Sequence, residues 1–206
     1  KTVVNEQSTD SSLAFLNKGE SSFDNLTLQF SNPEQFLGLD NPELTVTTTA
    51  KAEKVGSFAR TDVVATTTKA IRLSSEVYVV QNLLASPFRV AQTTPATLDL
   101  AVVGRRNNLG ATTLSFALPI YTDYINAVAS FGAVRYEPLS KTFIWEISGI
   151  SKDVEPTLRL NLEVSPGPTQ ANGASSLTGT IRMQTTDLFT GETLDFSTNP
   201  TQIGVQ

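Results

Sequence analysis

Apolar and polar residues alternate along most of this chain with the two-residue period of a strand that buries one face. The clearest stretches are Thr142 to Ile147 (TFIWEI) and Leu158 to Val164 (LRLNLEV), which flank a turn-rich passage, Ser148 to Thr157, containing Gly149, Asp153 and Pro156. A second turn, Glu137-Pro138-Leu139-Ser140, lies just upstream, so the region from Leu114 to Val164 reads as a meander around Trp145, the sole tryptophan. Before it, strands are predicted at Leu13 to Leu16, Phe23 to Phe30, Glu43 to Ala50, Ser57 to Thr67 and Leu98 to Val103. Ala70 to Val80 (AIRLSSEVYVV) has no Pro or Gly and reads as one long strand. Residues 81–97 read as a polar, proline-bearing passage, and Gly104 to Gly110 (GRRNNLG) as a solvated loop tip, its two arginines with two asparagines offering at most a partner contact. After the meander come a loop, Ser165 to Ser176, strands at Leu177 to Thr185 and Glu192 to Ser197, and a closing segment, Ile203 to Gln206. Leu188 to Gly191 forms the turn between those two strands, with an aromatic plug. The one window that tolerates a helix, Tyr121 to Phe131, reads as loop plus strand.

The pattern also repeats. Leu13 aligns with Trp145, Phe15 with Ile147, Leu26 with Leu158, Leu28 with Leu160 and Phe30 with Leu162; further on, Leu44 aligns with Leu177, Val64 with Phe196, Ile71 with Ile203 and Leu73 with Val205. A nearly constant offset across several strands and loops reads as a duplication. Residues 1–72 then form a partial or small β-sandwich unit, and residues 73–206 a complete β-sandwich. Missing strands leave open edges, so the first copy is expected to close on itself, on upstream chain, or on a strand donated by a neighbouring subunit. A continuous strand across the join would hold the two units in a fixed relation.

Composition narrows the chemistry. The 206 residues are 39% apolar, enough for real cores, and the charge balance is 15 Lys plus Arg against 20 Asp plus Glu. A net charge of −5 and a pI of about 4.8 lack the basic footprint of nucleic-acid binding. There is no Cys and no His, which removes disulfides, thiolate metal sites and the commonest general base. No apolar run approaches the length of a membrane span, and Lys1-Thr2-Val3-Val4 does not start a signal peptide, so the sequence reads as a soluble, mature or excised segment.

Candidate reactive groups reduce to ordinary ones. Asp40 with Glu43, and Asp153 with Glu155, sit in turns where acids are common; Asp187, Glu192 and Asp195 lack the spacing of a recognised Ca²⁺ loop. Lys141 has too many asparagine candidates to assign an isopeptide bond, and the Asn25-Leu26-Thr27 sequon lies in a predicted strand. Phe15, Phe23, Phe30, Phe116, Trp145 and Phe196 alternate with polar neighbours and read as core rather than as a sugar-binding platform. No catalytic, cofactor or metal residue is assigned.

The order LSFALP, then VRYEPLSKTFIWEISGISKDVEPTLRLNLEV, then LTGTIRMQTTDLFTGETL resembles the DUF11-type Ig-like repeats of prokaryotic cell-surface proteins. The resemblance covers about Thr97 to Phe196 well and residues 13–72 weakly. It implies an all-β, Ig-like sandwich in tandem, working outside the cell as a non-catalytic structural or adhesive repeat of a surface protein, filament or pilus. Expected partners are neighbouring repeats or further copies of the chain, by head-to-tail strand complementation, or a glycan or cell-surface ligand if the module binds one. Tyr136, Pro138 and Trp145-Glu146-Ile147 are also similar to the μ-homology domain of clathrin adaptors, an all-β cargo-binding module.

Overall fold

The computed structural model describes residue 36 and residues 38–53, 62–171 and 174–206. The expected strands at Leu13 to Leu16 and Phe23 to Phe30, with the repeat pairs built on them, lie outside the described residues, as does the Asn25-Leu26-Thr27 sequon. Residues 36–206 form one compact unit, an Ig-like β-sandwich.

Nine strands make its two layers. The four-stranded sheet has the order β3 (Glu76–Ala85), β4 (Thr94–Arg105), β9 (Thr157–Val164), β6 (Thr122–Ala129). The five-stranded sheet has the order β12 (Thr193–Thr198), β11 (Ile181–Thr186), β5 (Thr112–Ala117), β8 (Thr142–Ile147), β7 (Ala133–Glu137). Every pair in both sheets is antiparallel. A short pair, β10 (Ala174–Ser176) with β13 (Gln202–Gly204), closes one end. A separate two-stranded ribbon, β1 (Glu43–Glu53) with β2 (Asp62–Arg72), precedes the sandwich in the chain.

Alternation places the core. On β4, Leu98, Leu100 and Val102 point inward while Thr97, Asp99 and Ala101 do not; on β9, Leu158, Leu160, Leu162 and Val164 do the same. The facing sheet supplies Leu114, Phe116, Phe143, Trp145, Ile147, Ile181 and Met183, all buried. Burial of each such side chain is worth about 1.5–3 kcal/mol against conformational entropy of similar total size. Phe143 joins the layers: its ring lies 4.8 Å from Tyr136, 4.9 Å from Tyr124 and 5.4 Å from Phe116. The buried hydroxyls of Thr112 and Thr185 satisfy each other at 2.7 Å.

The turn into β7 depends on one glycine. Gly132 has φ +80°, and a Cβ built there would stand 2.1 Å from the Glu146 carbonyl oxygen on the neighbouring strand. Gly132→Ala therefore requires both a left-handed alanine and a backbone shift, and should cost about 2–4 kcal/mol, measured as a lower urea midpoint with unchanged slope.

The structure corrects several boundaries. Ala70 to Val80 is not one strand: β2 ends at Arg72, Leu73–Ser75 is irregular, and β3 begins at Glu76. Polar groups distant in sequence capture the backbone of the three intervening residues. The passage 81–97 is mostly strand, because β3 continues to Ala85 on its pairing with β4, which starts at Thr94. Gly104 to Gly110 is not a solvated tip, since Asn107 and Leu109 are buried and Leu109 bridges Ile150 and Asp187. The described part of the expected strand Ser57 to Thr67 belongs to β2, which runs on to Arg72, residues 57–61 lying outside the described residues, and Leu177 and Thr178 are buried in irregular chain before β11. The loop Ser165 to Ser176 contains a 3-10 turn, Pro168–Gln170, and β10. Tyr121 to Phe131 is loop plus strand, as its sequence suggests, with a bulge in β6 between Tyr124 and Asn126. Of the repeat pairs in the described part, Ile203 and Val205 are buried whereas Ile71 is 39% exposed, so equivalent spacing does not produce equivalent environments.

Candidate functional site

Polar side chains converge most strongly at the root of the β1–β2 ribbon. Asp187 opens the turn between β11 and β12, where Asp-Leu-Phe-Thr-Gly lets the carboxylate fold back on its own chain and Gly191 takes φ +75°. Its Oδ1 accepts the N–H groups of Phe189 at 2.8 Å and Thr190 at 2.9 Å. Its Oδ2 accepts the Ser75 N–H at 2.6 Å and an Asn107 Nδ2–H at 2.7 Å. The same Asn107 amide donates to the Leu73 carbonyl at 2.8 Å, so one asparagine ties the break between β2 and β3 to the acid. Arg106 donates to the Ser74 carbonyl, the Ser74 hydroxyl meets Glu192, and the Leu73 N–H donates to Pro42 across the ribbon. Arg72 closes the cluster: Nη1 donates to the Phe189 carbonyl, and the guanidinium lies 5.0 Å from the centre of the Phe189 ring.

Asp187 is fully buried. Burial alone would raise its pKa, but hydrogen bonds from Asn107, Thr190 and Ser75 outweigh it and hold the carboxyl at about 2. An acid with that pKa, no solvent access and four donors on two oxygens has no capacity left for proton transfer or for a cation. This cluster is a clasp that fixes the ribbon's root.

The other candidates disperse. Glu192 is engaged by Ser74, and Asp195 accepts from Gln184 at 2.9 Å. Asp40 pairs with Lys152, which lies 3.8 Å from Asp153, and Glu43 pairs with Arg72. Among the described residues no three acidic side chains are placed to share a metal ion, and no helix is long and apolar enough to cross a membrane. Lys141 Nζ donates to the carbonyls of Ile120 and Thr122 and to Asp123, not to an asparagine. Phe116, Phe143 and Trp145 are core. The outer face of the four-stranded sheet carries a shallow, open hollow of about 520 Å³ around Val80, Val128 and the Asp99–Arg159 pair, whose two bonds of 2.7 and 2.8 Å leave neither charge free.

Asp187 is set in the sequence beside the Leu188 to Gly191 turn, where it clasps rather than binds Ca²⁺, and Arg106 and Asn107, which the sequence offers at most as a partner contact, serve the clasp instead. An asparagine in a GRRNNLG loop carries no mark of burial; only its meeting with a turn eighty residues later supplies one.

What remains available is backbone. Strands β3, β6, β7 and β12 and both ribbon strands present edges that no described strand pairs, and the ribbon side chains described from Val64 to Arg72 are exposed.

No family model and no characterised protein matches the chain in sequence. In structure it is similar to the major pilin subunit BcpA of Bacillus cereus, at 10% identity and a TM-score of 0.47, over 68% of this chain and 50% of the pilin. The chain thus spans about half the length of that protein. It is also similar to a non-cellulosomal cohesin from Archaeoglobus fulgidus, at 14% identity and TM-score 0.41, over 61% of this chain and 91% of the cohesin. A third likeness is to the Fcho1 μ-homology domain of Danio rerio with bound Eps15 peptide, at 11% identity and TM-score 0.33, over 71% and 58% of the two chains.

Proposed function

We propose that this chain is a non-catalytic structural module of an extracellular surface protein or filament, joined to neighbouring repeats or to further copies of itself through its strand edges. The observation that supports this reading is how the polar groups are used. The one fully buried carboxylate among the described residues is spent on holding the fold, while long strands keep unpaired backbone at the surface. The clasped root fixes the angle at which the ribbon leaves the sandwich.

The reading is tested by size-exclusion chromatography with light scattering over a hundredfold range of concentration, together with electron microscopy of the most concentrated samples. A mass that rises with concentration, or ordered polymers, is expected. A chain that stays monomeric throughout would sink it.

A further inference from the structure

We infer that the outer edge of β3 is a self-pairing surface, on which a second copy of this chain lays its own β3 antiparallel across a two-fold axis. This rests on the reading above, that the module works through its strand edges, and it names the edge and the occupant.

Backbone accounting identifies the free groups. The Val102 N–H donates to the Pro156 carbonyl at 3.0 Å, in line with the β4–β9 register, so the even positions of β4 spend their backbone bonds on β9 and the odd positions on β3. The β3–β4 register pairs Glu76 with Arg105 and Val80 with Ala101, which assigns the even positions of β3 to β4. Val77, Val79, Gln81 and Leu83 are left with N–H and C=O directed away from the sheet, and no described backbone group bonds them. Such a row is a template for another strand.

Of the four edge strands of the sandwich β3 is the longest; β12 has six residues with Asp195 at its middle, and Gln81 of β3 spends its side chain on Thr198, Asn199 and Thr201 while its backbone stays free. β6 carries a bulge, and β7 has five residues including the Arg135–Glu137 pair. β3 has ten residues (EVYVVQNLLA), no Pro, no Gly, no bulge and a single charge. It also exposes apolar surface, with Val80 46% and Leu84 53% accessible on the outer face.

The occupant follows from self-complementarity. In a two-fold register centred on Val80, Val77 meets Leu83 of the partner subunit and Val79 meets Gln81 of the partner subunit. These are the positions whose backbone groups are free, so donors and acceptors match on both sides. On the outer face Val80 meets Val80 of the partner subunit, and Tyr78 meets Asn82 of the partner subunit. Glu76 lies opposite Leu84 of the partner subunit, so the only charges on the strand sit at opposite ends and no like charges face each other. The exposed valine and leucine are covered by the same pairing.

The chain has no cysteine, which makes single-cysteine variants of the full chain unambiguous reporters. Val80 would occupy a non-hydrogen-bonded pair, where side chains approach most closely, so V80C should give a covalent dimer as the main product of mild oxidation. Y78C oxidised alone should remain largely monomeric, because the two copies of residue 78 would be four positions apart, roughly 14 Å. Mixed with N82C it should form the cross-linked heterodimer. V80K places two lysines face to face and should weaken self-association at least tenfold; Val80 is exposed enough for the fold to survive, which unchanged emission from buried Trp145 checks. If V80C cross-links no faster than Y78C, or V80K leaves the mass profile unchanged, this edge is not the surface. Self-association that persists in that case would leave the broader reading standing, whereas a wild-type chain that is monomeric at every concentration removes both.

Discussion

Asp187→Ala should lower the stability of the sandwich by about 3–4 kcal/mol, a large share of what a domain of this size holds. The substitution removes the acceptor of four hydrogen bonds at once and leaves the N–H groups of Ser75, Phe189 and Thr190 and the amide of Asn107 without their partner. Part of the loss is recovered by water, because Phe189 and Thr190 are only half-buried. Asp187→Asn should cost less, since its amide oxygen still accepts the donors on one side while its NH₂ faces donors on the other. A local signature separates this effect from general weakening: hydrogen exchange should accelerate first at Leu73–Ser75 and along β2, before the core strands respond. The pH dependence has a definite sign. The folded-state pKa is about 2, below the ordinary value of 3.8, so the stabilisation is complete above about pH 4 and is lost as pH falls through 2. The shift corresponds to about 2 kcal/mol, seen as a falling urea midpoint between pH 4 and pH 2 that Asp187→Asn should largely abolish.

Trp145→Ala should cost about 3–5 kcal/mol. Trp145 is fully buried at the centre of β8, opposite Leu114 on β5 and Val134 on β7, and no neighbouring side chain is free to fill the space an indole leaves. Its Nε1–H donates to the Phe131 carbonyl at 2.8 Å, which ties the turn before β7 to the core, so the truncation also orphans a backbone acceptor. Trp145→Phe keeps most of the ring volume and loses mainly that bond, and about 1–2 kcal/mol is expected. Urea unfolding followed by far-UV circular dichroism measures both variants, since neither retains the native fluorophore. In the wild-type chain the same tryptophan should emit at short wavelength and shift to the red in a single transition with the dichroism signal.

The two variants probe different kinds of information. Trp145 was legible: TFIWEI alternates strictly, and β8 runs from Thr142 to Ile147 as the alternation requires. The same holds for β9, where LRLNLEV buries every second residue. The clasp was not legible. Nothing in AIRLSSEVYVV marks Leu73–Ser75 as a break, because the local residues are all compatible with a strand. The break exists because Asp187 and Asn107 offer the backbone of those residues better partners than a neighbouring strand would. Likewise, two arginines and two asparagines between glycines look like a solvated tip, and only the packing of Leu109 between Ile150 and Asp187 draws that loop inward.

By itself the sequence determined the all-β class, the inward face of the central strands and the lack of thiol and imidazole chemistry, because side-chain period and residue type are local properties that no tertiary contact alters. Which strands became neighbours, where the long strand had to break, which carboxylate lost its titration to hydrogen bonds and which edge was left without a partner were decided only by the tertiary structure. Each depends on groups separated by tens of residues, and the free energy of their meeting is written in neither segment alone.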